Sequence, residues 1–380
     1  MNRDDQLERL VGELVAINSI NPDLAPGAAG EGEIARFIAE WLERAGLEVH
    51  LVETLPGRPN VVGVARGTGG GRTLLLNGHL DTVGVVGMQE PFRPRVKDGR
   101  LYGRGAYDMK AGVAACMMAA AEARKRNLRG DVLVTAVMDE EYAGLGTAAV
   151  AERYRADGAI VAESTELQLI TAHKGFIWLE VETRGVAAHG SRPHLGVDAI
   201  AKMGQFLVEL ERLGEVLSAG PAHPLLGNAS VHASLIRGGQ ELSSYPEQCI
   251  LSVERRTLPG ETAAAVEAEL QAIIDRLHDV DPSFRAVVRP GLVRAPLQTP
   301  ETAGIAGVVR ESAEQALGRP CESGGLSFWT DAATLWAAGI PTVLFGPAGV
   351  GAHATEEWVD LSSVAACAEI YLATALAFCE

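Results

Sequence analysis

The chain contains no pair of cysteines at CxxC spacing. Its five cysteines (Cys116, Cys249, Cys321, Cys367 and Cys379) are scattered and odd in number. That pattern argues against a disulfide framework and against a thiolate metal site, and it points to free thiols in a reducing compartment. Positive charge is also scarce. With 33 Lys and Arg against 49 Asp and Glu, the formal net charge is −16, and no basic stripe interrupts it. Such a surface repels phosphate backbones, so nucleic acid is not an expected partner. Anionic small molecules would need a locally placed arginine or metal. The opening "MNRDDQLERL" lacks the apolar core of a signal peptide. The longest apolar stretches, "AGVAACMMAAA" and "SSVAACAEIYLATALAF", look too short or too interrupted to span a bilayer and are expected to be buried helices. The expectation is a soluble cytoplasmic protein without a membrane partner. Internal repeats and low-complexity linkers are absent too.

What is present is an ordinary globular composition, 47% hydrophobic and 22% charged over 380 residues. That is enough for two domains, or for one large domain carrying an insertion. Residues 3–18 and 31–46 have amphipathic helical spacing, and Gly46 is a good helix stop. "NVVGVARGTGGGRTLLLNGHLD" gives two strands around a Gly-rich turn. A helix over 110–126, a strand over 132–138, a helix over 146–156 and the short strand "GAIVAES" follow. This alternation predicts an α/β layer with a mixed, mostly parallel sheet flanked by helices. The character changes near Lys174. "KGFIWLEVETRG", a helix over 198–213, strands over 229–237 and 248–256, a helix over 261–278 and "FRAVVR" make a compact α+β insert. From about Leu297 the α/β pattern resumes. The predicted organisation is a discontinuous domain over 1–173 and 294–380, split by an insert over 174–293.

"VMDEEYAGLG" sets Asp139, Glu140 and Glu141 side by side after a buried strand. A solvated acidic turn is the commoner fate of such a run. Alternatively something positive sits there, one acid binding a metal and its diverging neighbour acting as a base on metal-bound water. "TLLLNGHLDTV" ends an apolar strand in His79 and Asp81, two apart and therefore on one side of the chain. Asp81 can orient the His79 ring while the other ring nitrogen binds a metal, or it can simply cap a polar strand end. In "LYGRGAYDMKAGVAA" Asp108 stands just before a helix, where an N-cap is the plainer explanation. Glu163 follows "IVA" and His353 follows "LFGPAGVGA"; residues like these, taken singly, are more often structural.

Together they weigh differently. Five apolar segments end in His79, Asp108, Glu141, Glu163 and His353. Open α/β sheets bind ligands beyond the carboxyl ends of their strands. Imidazole plus carboxylate, without thiolate, suits zinc, cobalt or manganese, and two ions sharing a carboxylate form a hydrolytic clamp. Two dications against three carboxylates and a bridging hydroxide are neutral, whereas the same acids buried unpaired would be costly.

"GHLDTV", "GRGAYDMKAG", "DEEYAG" and the late "AH" followed by "EE" resemble, in order and spacing over nearly the whole chain, the co-catalytic zinc amidohydrolases. That family includes acetylornithine deacetylase, succinyl-diaminopimelate desuccinylase, aminoacylase and glutamate carboxypeptidase. The resemblance implies a zinc-peptidase-like catalytic domain with an inserted ferredoxin-like lid, through which two chains dimerise. It implies two divalent ions, zinc before cobalt or manganese: His79, Asp108 and Glu163 on one, and Asp108, Glu141 and His353 on the other. Asp81 matches the acid that steadies His79. Glu140 matches the general base that moves a proton from the bridging water to the leaving amine. In "GVAAHGSRP", His189 matches the histidine that reaches the partner's active site and polarises the scissile carbonyl. In "GGQELSSYPEQCILSVERR", the spacing from Pro246 selects Arg256 over Arg255 as the arginine for the substrate carboxylate. By itself His189 is as readily an exposed surface histidine, and Arg256 an ordinary strand-surface charge. Three positions depart from the pattern: Ser243 stands for a usual Asn, Ser164 for a frequent Pro, and Ala111 for the first Gly of "DMKGG". The implied reaction is hydrolysis of an N-acyl amino acid, acetylornithine deacetylase-like or desuccinylase-like. The alternatives are a dipeptidase or carboxypeptidase with the same metals, and a catalytically silent metal-containing binding protein. The retained Glu140 speaks against the last, since a purely structural site needs no spare base.

Overall fold

In the computed structural model, which describes residues 2–380, the chain divides into two compact units. One comprises residues up to Thr171 with Thr299–Gly324 and Thr330–Glu380; the other comprises Ala172–Gln298 with Gly325–Trp329.

The first unit is built on a mixed sheet. Its strands run in the order Glu48–Leu55, Arg58–Ala65, Val132–Val137, Leu74–His79, Gly158–Val161, Thr342–Leu344 and Leu169–His173. Parallel pairing is confined to the four strands from Val132–Val137 to Thr342–Leu344, and the flanking pairs are antiparallel. Every residue of Leu74–His79, Val132–Val137 and Gly158–Val161 is buried, as expected for strands covered on both faces. Because these strands are parallel, their carboxyl ends open on one edge.

The helix Ala111–Ala123 is apolar nearly all round and almost wholly buried, so it belongs to the core. It lies so close to the sheet that a Cβ on Gly112 would come within 2.1 Å of the Ala162 carbonyl oxygen. It also packs against the C-terminal helix Leu361–Phe378. The sequence reading of that last segment needs correction: it is one uninterrupted helix of 18 residues, long and apolar enough by length and composition to cross a membrane. Val364, Cys367, Ile370, Tyr371, Ala375 and Phe378 instead place its apolar surface in the core of the first unit.

The second unit is a four-stranded antiparallel sheet in the order Ser230–Gly238, Gln248–Thr257, Gly175–Arg184, Arg285–Arg294. The helices Ala199–Ala219 and Ala263–Val280 cover one face, burying Met203, Phe206, Leu270 and Ile273 against Leu179, Val181, Leu251 and Val253. A two-stranded ribbon pairs Ala188–His189 with Ser244–Tyr245.

Candidate metal centre

His79 is the last residue of its strand, and Glu140, Glu141 and Glu163 follow the ends of the two strands beside it. Asp108 lies in the turn Ala106–Lys110 with extended backbone (φ −121°, ψ 96°). It caps nothing: the following helix begins at Ala111 after Lys110, and no side chain caps it. The N-cap explanation of Asp108 therefore falls, and its carboxylate turns to two imidazoles. His79 Nε2 stands 3.0 Å from Asp108 Oδ1 and 3.6 Å from Glu163 Oε1. His353 Nε2 stands 3.3 Å from Asp108 Oδ2 and 3.0 Å from Glu141 Oε2. Two sets result, His79–Asp108–Glu163 and Asp108–Glu141–His353, each with its donor atoms within 4.8 Å of one another. Asp108 gives one oxygen to each set.

The donors fit divalent metal. Four ligands about 2.1 Å from a tetrahedral ion stand roughly 3.4 Å apart, close to the separations seen here. The electrostatics point the same way. Burial, with Asp108 and Glu141 nearby, pushes the Glu163 carboxyl up to about 8 despite His79. Burial also raises Glu141, with Asp108 adding to it, and it raises Glu140 well above the carboxylate range, with Glu163 and Asp331 adding to the effect. Hydrogen bonds to Asp108 and Glu141 lift His353 to about 10. Burial would raise Asp108 as well, but His353 and His79 hold it below its ordinary value. A group of acids that resists ionising and imidazoles that seek protons is short of positive charge.

Asp81 meets His79 differently from the sequence expectation. The His79 Nδ1–H donates to the Asp81 carbonyl oxygen at 2.9 Å, while the nearer carboxylate oxygen stands 3.7 Å away. A carbonyl only accepts, so Nδ1 carries the proton and Nε2 is left to the cluster. The Asp81 carboxylate instead receives the backbone N–H of Glu140 at 3.1 Å, that of Glu141 at 3.2 Å and the Asn21 amide at 2.8 Å. It fixes the turn that carries both glutamates.

Several residues of this surround escaped the sequence reading. Asn21 also donates to Asp139 at 3.1 Å, and Arg58 joins Asn21, Asp139 and Glu31 in one buried cluster and reaches the exposed Asp23 at its rim. Buried Glu357 accepts from Arg104 and from the backbone of the turn that carries Asp108. Ser164, one of the departures, donates its hydroxyl to the Tyr107 carbonyl at 2.5 Å, tying the Glu163 segment to the Asp108 turn. Only the adjacent acids "EE" gave any hint of Glu357 in the sequence.

His189 and Arg256 belong to the second unit. His189 is exposed, and its Nδ1 accepts the Ser191 N–H at 3.2 Å, which leaves the proton on Nε2. Neighbouring strand residues face opposite ways. Arg255 is buried against Glu261 and Glu269, whereas Arg256 is part-exposed, held by Glu254 at 2.6 Å and over the Phe176 ring.

The model of "Peptidase family M20/M25/M40" matches residues 75–377. This chain belongs to that family. As a member it is a metallohydrolase acting on amide or peptide bonds. An acetylornithine deacetylase from Myxococcus xanthus is 35% identical over 98% of this chain and 97% of its own length. An N-formyl-4-amino-5-aminomethyl-2-methylpyrimidine deformylase from Bacillus subtilis is 30% identical over 94% and 91%. The fold is shared with a dinuclear metal-binding M20 peptidase from Bacillus subtilis, at TM-score 0.77 and 16% identity over 99% and 98% of the two chains.

Proposed function

We propose that the protein is a two-metal amidohydrolase that releases an amino acid from an N-acyl amino acid. The observation that carries this reading is Asp108, whose two carboxylate oxygens face two separate histidine–carboxylate sets. The two relatives above are named for removing acetyl and formyl groups from amines, which favours deacylation over peptide cleavage. Two divalent ions, zinc before cobalt or manganese, would be held by His79, Asp108 and Glu163 and by Asp108, Glu141 and His353. Bound there, they supply an activated water and polarise the scissile carbonyl.

The side chains do the rest. Glu140, whose backbone N–H is fixed on Asp81, takes a proton from the attacking water and delivers it to the leaving nitrogen. His189 reaches the active site of the second chain in the dimer and offers its Nε2–H to the oxyanion developing there. Arg256, braced by Glu254, holds the substrate carboxylate.

The protein also forms a homodimer through its second unit. The sheet there ends in Ser230–Gly238, a strand exposed over most of its length, Leu235 and Ile236 included, and an edge suited to pairing with a second copy. The five cysteines, all free and buried, fit a cytoplasmic enzyme.

A panel of N-acetyl, N-formyl and N-succinyl amino acids and dipeptides, assayed by amine release, tests the reading. Turnover of an N-acyl amino acid well above any dipeptide is expected. Dipeptide turnover alone would make the protein a dipeptidase.

A further inference from the structure

The carboxylate of Glu357 is wholly buried, yet no ligand set includes it. It gathers four N–H groups: Arg104 Nη1 at 2.7 Å, and the backbone N–H groups of Gly105 at 3.0 Å, Tyr107 at 2.8 Å and Asp108 at 3.1 Å. Three of these are consecutive or nearly consecutive peptide groups of one irregular turn. The N–H groups of Ala106 and Lys110 in that turn go to the Gly103 and Gly105 carbonyls, and Glu357 supplies the acceptor for those of Gly105, Tyr107 and Asp108. The last of them belongs to Asp108 itself. Arg104 completes a second link: its Nη2 donates to the Ala354 carbonyl at 2.8 Å, one residue beyond His353. His353 needs such support, because its backbone is left-handed (φ 61°) and its loop carries no regular structure.

We propose that Glu357 and Arg104 are positioning residues that hold the bridging ligand Asp108 and the ligand His353 in register across the two metal sets. The inference rests on the reading of those sets as metal sites. Glu357 orients the peptide of Asp108, and Arg104 carries the same constraint to the His353 loop. Two of the three ligands in Asp108–Glu141–His353 ride on the segments so held. Only one of the three in His79–Asp108–Glu163 does. Loss of the pair therefore weakens the first of these sets more than the second. Outer partners of metal ligands are commonly worth about 10–100-fold in affinity.

The test is zinc titration of the metal-free full-length protein by calorimetry, at a temperature where circular dichroism shows every variant folded. His79→Ala leaves only the set containing His353, and His353→Ala leaves only the set containing His79. Adding Glu357→Gln is expected to weaken zinc binding about 10–100-fold in the His79→Ala background and markedly less in the His353→Ala background. Arg104→Lys, which keeps the charge and loses the fork, should reproduce the asymmetry if Glu357→Gln fails to fold. A merely structural pair would lower the melting temperature and leave both affinities within about threefold; that result, or an equal loss in both backgrounds, overturns the proposal. Wild-type protein that takes up no zinc overturns the metal reading itself, a distinct outcome.

Discussion

Asp139 Oδ1 lies 3.3 Å from a guanidinium nitrogen of Arg58, with both side chains buried. The first acid of "DEE" is thus neutralised by an arginine and takes no part in either ligand set. The same Arg58 binds Glu31 through two bonds of 2.7 Å, and Asn21 links Asp139 to Asp81. The three adjacent acids go three ways: Asp139 to an internal ion cluster, Glu141 to the ligand set and Glu140 to a place where the charges of His79 and Glu163 act on it.

Removing the cation should be severe. Arg58→Met leaves Glu31 and Asp139 buried without their counter-charge, a situation that typically costs about 3–5 kcal/mol. Urea unfolding measures it. Asp139→Asn, which keeps the shape and removes one of the acids, should cost distinctly less.

Close packing beneath the site gives a second prediction. Gly112→Ala would force a methyl against the Ala162 carbonyl, costing about 1–3 kcal/mol of stability in a thermal melt. Ala111, one residue earlier, shows that the site tolerates a methyl one position away.

Metal removal should make stability depend on pH in a defined direction. In the metal-free protein Glu163 is raised to about 8 and His353 to about 10. Both folded-state values lie above those of the unfolded chain, so both groups bind protons more tightly when folded. Their contribution is fully present at low pH and is lost as the pH rises, through about 8 for Glu163 and about 10 for His353. The melting temperature of chelator-treated protein should therefore fall between pH 5 and 9, against the usual trend for paired carboxylates. Zinc at a hundred times its dissociation constant should restore about 2.7 kcal/mol per site.

For the arginine of the second unit, Arg256→Lys should raise KM for an N-acyl amino acid about 10–100-fold, the equivalent of roughly 1.5–3 kcal/mol for a lost charge-assisted pair, with kcat less affected. Steady-state kinetics separate the two.

How much of this was legible in the sequence follows from how local each signal is. His79, Glu141 and Glu163 announce themselves because an apolar strand stops at a polar residue, and that register is written in consecutive residues. Asp108 was ambiguous because a carboxylate before a helix has a cheaper local explanation; only the extended backbone of the turn removes it. Arg58 and Asn21 were invisible as partners of Asp139, since they join it across 81 and 118 residues of chain and neither carries a periodic signature. Glu357 has the same character, 249 residues from the peptide it holds. The edge strand Glu48–Leu55 also went unread, because its residues are mostly exposed or half-buried and lack the apolar run that marked the central strands.

In the proposed mechanism Glu140 transfers the proton while other residues hold the metals. The direct measurement is kcat of Glu140→Gln on the best N-acyl amino acid, with metal content determined on the same sample. Two metal ions per chain, as in wild type, and a kcat lower by about 100-fold to 10,000-fold are expected. A fully metallated variant with kcat within a few-fold of wild type would contradict this mechanism.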